Sequence, residues 1–556
     1  MKTIYKAVLA ALVATPLFTG CIEEITPTNT IIQTQLTDNP RATEALVWAM
    51  PGHLNEVGTI SSYHWDIGYP GIMHIRDLFT ADLRVSTLGA NYNHFWYWCE
   101  NSVGLGPDYL YPQYPWNWLY KHVLATNKVV QAINDDTTNP ELRMQLAAGY
   151  ADRAWVYLDF ARMYEVLPTD GYTVSPDLLG LTLPKVTEET TEEQMRDNRR
   201  LTHDEMIEFI KGDLDKAIAL SEGAASVPNK TIPDLAVMYG LYARLYLWDA
   251  SYQAEINNNT SAANTLYAEA KKYADLAIAT CGGTPLTRAQ WLDTNTGFNT
   301  SDPSSWMFCG QYVTEDTGVQ APNVSWTGWM SSEKTYGYAS TRLKAFPEIG
   351  AAVYNRMNDR DWRKLSFVAP EDSPLSGQEP FLDAELAKEN FTVPYISIKF
   401  RPGGGATTNG QTGCAVAFPL MRVEEMYFIS IEAQAHLDAG AGKSALENFM
   451  KTYRYNSYIC TATSTEDVVE EIIFQKRVEL WGEGQAFFDI KRLDYPVIRA
   501  YEGTNFTWGS ETWNTSRRPA WMNLCITNQE CDNNAGIPRS LNVPNPNGCY
   551  TVITEL

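Results

Sequence analysis

Trp96 and Trp98 alternate within the run Tyr92-Asn93-His94-Phe95-Trp96-Tyr97-Trp98-Cys99-Glu100-Asn101, and Asn101 follows closely. Indole faces beside an amide suit a polyhydroxylated ligand: its apolar C–H face stacks on a ring and its hydroxyl edge bonds to the amide. A second run, Trp326-Thr327-Gly328-Trp329, with Tyr336 and Tyr338 beyond it, has the same character. Gly328 and Gly337 permit tight turns that present side chains there. Two readings stand for each run, an exposed binding plate or an aromatic cluster packed into the core.

Catalytic chemistry has no comparable signature. The chain has no Gly-x-Ser-x-Gly, phosphate loop, Gly-x-Gly-x-x-Gly or His-Glu-x-x-His. Of seven histidines, His53, His64, His74 and His94 fall in one region but lack metal-ligand spacing on a helix, and no calcium-loop pattern occurs. No metal and no cofactor is expected. A carboxylate pair for glycoside hydrolysis is not ruled out by pattern, because 66 acidic residues offer many chance pairs.

Helical periodicity supplies the elements that would hold these runs in place. Trp116, Leu119, Val123, Asn127, Val130 and Ile133 share one face, and Ala154, Trp155, Leu158, Ala161 and Arg162 mark a second helix. Thr202 reads as the N-cap of a helix burying Met206, Ile207, Ile210, Leu214, Ala217 and Ile218. A helix from Leu235 to about Trp248 turns Met238, Leu241, Tyr242 and Leu245 inward. Its neighbour carries Tyr267 and the small residues Ala270, Ala274 and Ala277, which let two helices approach closely, as in a tetratricopeptide pair. Residues 282–413 are rich in Gly, Thr, Asn, Ser and Trp; an alternating strand over 391–400 and a flexible Gly403-Gly404-Gly405 loop are expected there. Helices return at 422–437, at 443–453 and at 464–481, where Ser464 and Asp467 have capping-box spacing. The fold class expected is mostly α, with helix pairs forming a scaffold and a large loop-rich insertion. Long loops on a rigid scaffold commonly carry function.

The N-terminus reads as a sorting signal. Lys2 and Lys6 precede an apolar run that ends at Phe18-Thr19-Gly20-Cys21. That run is too short to span a bilayer, which takes roughly 20 apolar residues. Small residues before a cysteine resemble a bacterial lipobox, so 1–20 is read as a lipoprotein signal, Cys21 as the lipidated residue and 21–39 as a polar tether. Residues 40–556 are read as one composite domain: helical scaffold at 40–281 and 414–495, ligand-face insertion at 282–413 and a loop-like tail at 496–556. The formal charge of −23 argues against nucleic-acid partners and anionic lipid surfaces. Apart from Cys21, eight cysteines remain; Cys525 and Cys531 are the easiest disulfide pair, with buried free thiols as the alternative.

Three stretches together carry a family resemblance. Arg153-Ala154 opens a helical run to Tyr164, followed by Leu167-Pro168; Arg422-Val423-Glu424-Glu425-Met426-Tyr427 leads to Glu432-Ala433; and Arg477-Val478-Glu479-Leu480-Trp481-Gly482-Glu483-Gly484 leads to Asp489-Ile490-Lys491-Arg492. Their order and spacing resemble the SusD/RagB family of outer-membrane nutrient-binding lipoproteins. Ala486 departs from the family's usual basic residue, and Asn545-Pro546-Asn547-Gly548-Cys549-Tyr550 only roughly matches its usual ending. Glu424, Glu479, Asp489 and Arg492 read as paired scaffold charges.

The resemblance implies a non-enzymatic surface protein that captures an oligosaccharide or polysaccharide and delivers it to a SusC-type TonB-dependent transporter. It would be held in the outer membrane by lipid and face the cell exterior. By similarity to the family's starch-binding member, it implicates Trp96, Trp98 and Asn101 in ligand contact; Trp326, Trp329 and Tyr336 are the candidates from the second run. A RagB-like peptide binder, a secreted glycoside hydrolase and a scaffold without a small ligand are the alternatives.

Overall fold

The computed structural model describes residues 39–58, 64–85, 95, 98–99, 102–313, 325–333, 336–337, 345–383, 393–508 and 511–554. Helix α1 (Pro40–Leu54) starts with proline, and the Asn39 side chain accepts from Arg41 N at 3.1 Å. After α2 (Tyr69–Leu78) and the short strand β1 (Leu83–Val85) come two long helices, α3 (Leu110–Ala132) and α4 (Pro140–Tyr164). From Gln145 to Tyr164 α4 is buried on every side, so it lacks the polar stripe of a surface helix and forms the axis of the first half. Strands β2 (Leu181–Pro184) and β3 (Arg200–Thr202) pair antiparallel and lead into α5 (His203–Ser221). Thr202 caps α5 as expected, and Glu205 closes the reciprocal capping box.

Next come α6 (Leu235–Glu255) and α7 (Thr260–Cys281), an antiparallel pair. Ala270, Ala274 and Ala277 of α7 are fully buried, and Tyr273 stacks on Tyr242 of α6 at 4.5 Å. The small-residue stripe therefore packs as the periodicity implies. Strand β4 (Trp306–Gln311), the short helix α8 (Trp326–Met330) and strand β5 (Pro347–Ile349) follow, with β5 pairing back to β1. Strand β6 (Ala417–Arg422) pairs antiparallel with β4, joining the insertion to the C-terminal helices α9 (Val423–Leu437), α10 (Ala439–Tyr453), α11 (Thr465–Glu479) and α12 (Ala486–Arg492). Because α9 packs on α7, α10 and α11, the helix pairs of both halves join through it. The fold is mostly α, and one hydrophobic core draws on residues from Leu54 to Ile537.

Several expectations for the insertion and tail are corrected. No strand runs through the described part of 391–400; only Ile396 and Ser397 form single bridges, to Glu348 and Phe367. Tyr395 has φ +76, which breaks the extended path, and Lys399 turns inward to Glu483 at 2.7 Å. The glycine run is a 3₁₀ turn packed into the fold: a Cβ on Gly403 would come 2.3 Å from Thr412 O. All eight described cysteines are free thiols. The proposed Cys525–Cys531 bond is not made, because Cys525 Sγ points to the carbonyls of Val543 and Pro544 and Cys531 lies by Asn542.

Buried charge holds the C-terminal half together. Glu479 accepts from Arg363 Nη1 (2.9 Å), Arg454 Nη2 (2.7 Å) and Arg422 Nη1 (3.4 Å). Arg422 also meets Glu424 and Glu483 at 2.9 Å each, and Arg363 meets Asp361 at 2.6 Å. Burial opposes the Glu479 charge, but the three guanidiniums outweigh it and hold its carboxyl well below the usual range. On the neighbouring helices Arg492 joins Glu432 (2.5 Å) to Asp489 (2.8 Å), and Lys476 meets Asp489 at 3.0 Å. Glu424, Glu479, Asp489 and Arg492 are thus structural, as their place in the motifs suggests.

A second buried cluster makes stability depend on pH. His203 Nδ1 lies 2.6 Å from Glu165 and Nε2 lies 3.3 Å from Asp249, with the ring stacked 3.7 Å from Tyr252. Burial disfavours the imidazolium, but the two carboxylates prevail and raise His203 to about 9. A raised histidine stabilises fully below its unfolded value of 6.5, and the contribution is lost as pH climbs through 9. Urea titrations of wild type and His203→Gln between pH 6 and 9.5 should show a decline that the variant lacks. Equal slopes would remove His203 as its source.

Candidate functional site

Trp98, from the first aromatic run, and Trp329, from the second, meet around Phe95. The Phe95 ring lies 4.8 Å from Trp329 and 6.1 Å from Trp98, edge-on to both. Trp65 adds an edge contact to Trp98 at 5.0 Å, and His74 lies 4.9 Å from Phe95. Runs more than 200 residues apart are thereby fused into one cluster between α2, α3 and α8. Trp329 Nε1 donates to His64 O at 3.2 Å. Burial alone lowers His74 to about 3, so that imidazole is neutral and behaves as part of the apolar packing.

Burial corrects the expected role of these rings. Trp98 is 3% exposed, Trp326 0%, Trp329 2% and Tyr336 1%. An indole so enclosed has no face left for a dissolved ligand, so these four side chains are core. Trp326 lies 5.3 Å from Phe400 and 6.2 Å from Phe418. The Tyr336 hydroxyl lies 3.0 Å from both Thr327 Oγ1 and Cys414 Sγ. Trp96, Asn101, Tyr338 and His94 lie outside the described residues, as do Cys21 and the leader.

The structure adds a residue that periodicity does not single out. Tyr109, just before α3, is 49% exposed. A Cβ on Gly104 would stand 3.5 Å from the Trp98 indole and 3.9 Å from the Tyr109 ring, so this glycine, at φ +76, touches both. Val103 and Leu110 are exposed beside it. Among the described residues near Trp98, Val103, Leu110 and the Tyr109 ring are thus apolar groups open to solvent. The only sequence signal is a tyrosine between a glycine-rich turn and a helix start. Beneath it, Arg499 donates to Cys99 O (3.2 Å) and to Leu78 O (2.6 Å), tying the tail to this segment.

Among the described residues, no group of three or more His, Cys, Asp or Glu is placed to hold a metal ion, and no helix is long and apolar enough to cross a membrane.

Two family models match the chain. Residues 382–531 match the SusD family, and residues 80–247 match the family described as starch-binding, associating with outer membrane. No curated protein matches. Solved structures share the fold across nearly the whole chain. A SusD-like carbohydrate binding protein from Bacteroides vulgatus is 20% identical, with a TM-score of 0.67 over 90% of this chain and 97% of that one. A SusD superfamily protein from Bacteroides thetaiotaomicron is 16% identical, with a TM-score of 0.63 over 91% of this chain and 100% of that one. A SusD-like carbohydrate binding protein from Bacteroides fragilis is 14% identical, with a TM-score of 0.59 over 90% and 99%. With family models covering more than half of its residues, the three sequence signatures in order and the helix-pair scaffold in place, the chain belongs to the SusD family.

Proposed function

We propose that this protein is a lipid-anchored receptor on the outer face of the outer membrane that captures an oligosaccharide and hands it to a SusC-type TonB-dependent transporter. The match of residues 80–247 to a starch-binding, outer-membrane-associating family carries this reading. The segment around Trp98 and Tyr109 lies inside that match. Trp96 and Asn101 are the proposed ligand contacts, and the exposed Tyr109 ring is a further candidate. The protein binds and releases its ligand without making or breaking covalent bonds.

One cell experiment tests anchor and partner together. Cys21→Ala should move the protein out of the outer-membrane fraction, because one lipidated residue supplies its attachment. Mild-detergent capture of the wild type should bring down a large β-barrel protein. Retention of the Cys21 variant in the membrane would refute the anchor. Recovery of the wild type as a free monomer in several detergents would refute the partnership. A panel of neutral glycans and peptide pools decides the ligand class, and peptide binding alone would favour a RagB-like role.

A further inference from the structure

Helix α3 borders more than the aromatic surface. Farther along its outer side is an open groove of about 700 Å³ between α3, the segment after β2 and residues 530–534. That volume suits a small-molecule or short-oligomer site. Its floor is fixed: Tyr120 is partly exposed, donates to Pro184 O at 3.0 Å and is braced by Trp116 at a ring separation of 5.0 Å. Its lips are apolar and open, with Leu124 55% and Met195 42% exposed. Large side chains left open on both rims of a groove mark a place where something docks.

The charges restrict what can dock. Lys121 and Lys128 line one wall; Glu188 and Glu530 line the others. Both carboxylates are already engaged, Glu188 by Arg153 at 2.5 Å and Glu530 by Asn534 at 2.8 Å and Trp116 at 3.4 Å. The four formal charges cancel, so neither a polyanion nor a cation finds a complementary field. Asn117 and Gln131 add uncharged donors and acceptors, which an acyl chain would leave unpaired. A ligand with an apolar face for Tyr120 and hydroxyls for the amides and lysines satisfies all of these groups.

We infer that this groove is a second binding site for a neutral oligosaccharide, distinct from the Trp96–Asn101 segment. The ligand class rests on the glycan reading above; the site itself does not. The probes are maltoheptaose, cellohexaose, xylohexaose and mannohexaose, read by calorimetry and hydrogen–deuterium exchange. They are applied to the wild type, to Asn117→Ala/Leu124→Glu, which alters only solvent-facing groove residues, and to Trp96→Ala/Asn101→Ala. At least one probe should slow exchange at 184–198 in the wild type. The groove variant should lose that protection and about tenfold in affinity, near 1.4 kcal/mol, at an unchanged melting temperature. Protection at 184–198 that persists in the Trp96/Asn101 variant would uphold the groove as a site of its own. Loss of binding in the Trp96/Asn101 variant, with full affinity in the groove variant, would do the opposite. The groove assignment is also overturned if no probe binds, or if a probe binds without slowing exchange at 184–198.

Discussion

Glu479→Gln is expected to cost about 3–5 kcal/mol of folding stability, the usual toll for breaking a buried ion pair from one side. The cluster around it holds Arg363, Lys399, Arg422 and Arg454 against Asp361, Glu424, Glu479 and Glu483. All eight are buried, so the balance of charge is kept without help from water. Glutamine keeps the shape and one acceptor but removes the carboxylate that Arg363, Arg422 and Arg454 share. Four cations would then face three anions in a medium where each unmatched charge is expensive. Burial pushes the Glu424 carboxyl up, with the Glu479 charge adding to that push, so removing the Glu479 charge favours the ionised form of Glu424 and offsets part of the loss. An exposed pair supplies the control. Glu470 meets Arg356 at 2.5 Å near the surface, and Glu470→Gln should change stability by less than about 1 kcal/mol. Guanidinium unfolding of both variants, with Glu479→Gln/Arg454→Met as the double, makes the comparison. Coupling predicts that the double falls short of the sum of its singles. A Glu479 variant within 1 kcal/mol of wild type would mean that the cluster is not what holds α9, α10 and α11 together.

What was legible in the sequence followed from local rules. Thr202 and Ser464 cap the helices they precede, the alanine stripe of α7 is buried as its spacing implies, and α9 begins one residue from the expected start. These features depend on neighbours within a turn or two. The readings that failed depend on distant contacts. The run 326–329 allows both an exposed plate and a packed cluster, and the structure makes it the latter: Ser325 and Thr327 beside its indoles are buried too, with their hydroxyls engaged by Gly328 N and Gly413 O. Small polar residues that cap their own backbone go inside at little cost, so polarity there does not measure exposure. The strand expected near 396 fails for a similar reason: Lys399 is drawn in by Glu483, 84 residues away. Tyr109 carries no sequence signal of this kind, because exposure of a single ring leaves no periodic trace.

Trp329→Ala and Trp96→Ala should therefore behave as opposites, although both belong to aromatic runs of the same appearance. Trp329 is enclosed by Phe95 and His74 and spends its indole N–H on a backbone carbonyl, so truncation leaves a cavity and removes that hydrogen bond. The expected cost is about 3–5 kcal/mol of stability, by analogy with other large-to-small core changes. Any variant that still folds should keep most of its ligand affinity, because the ring has no exposed face to lend. Trp96, proposed as a ligand contact, should lose about 1–3 kcal/mol of binding energy on truncation, judged from the apolar area a stacked ring removes from water. Hydrogen bonds to hydroxyls largely exchange water for protein, so the ring and not Asn101 should dominate affinity. Thermal melts and calorimetry on both variants separate the cases. A Trp329 variant that melts like wild type but no longer binds would make that ring a plate after all. A Trp96 variant that binds normally would move the contact to Tyr109 or to the groove on α3.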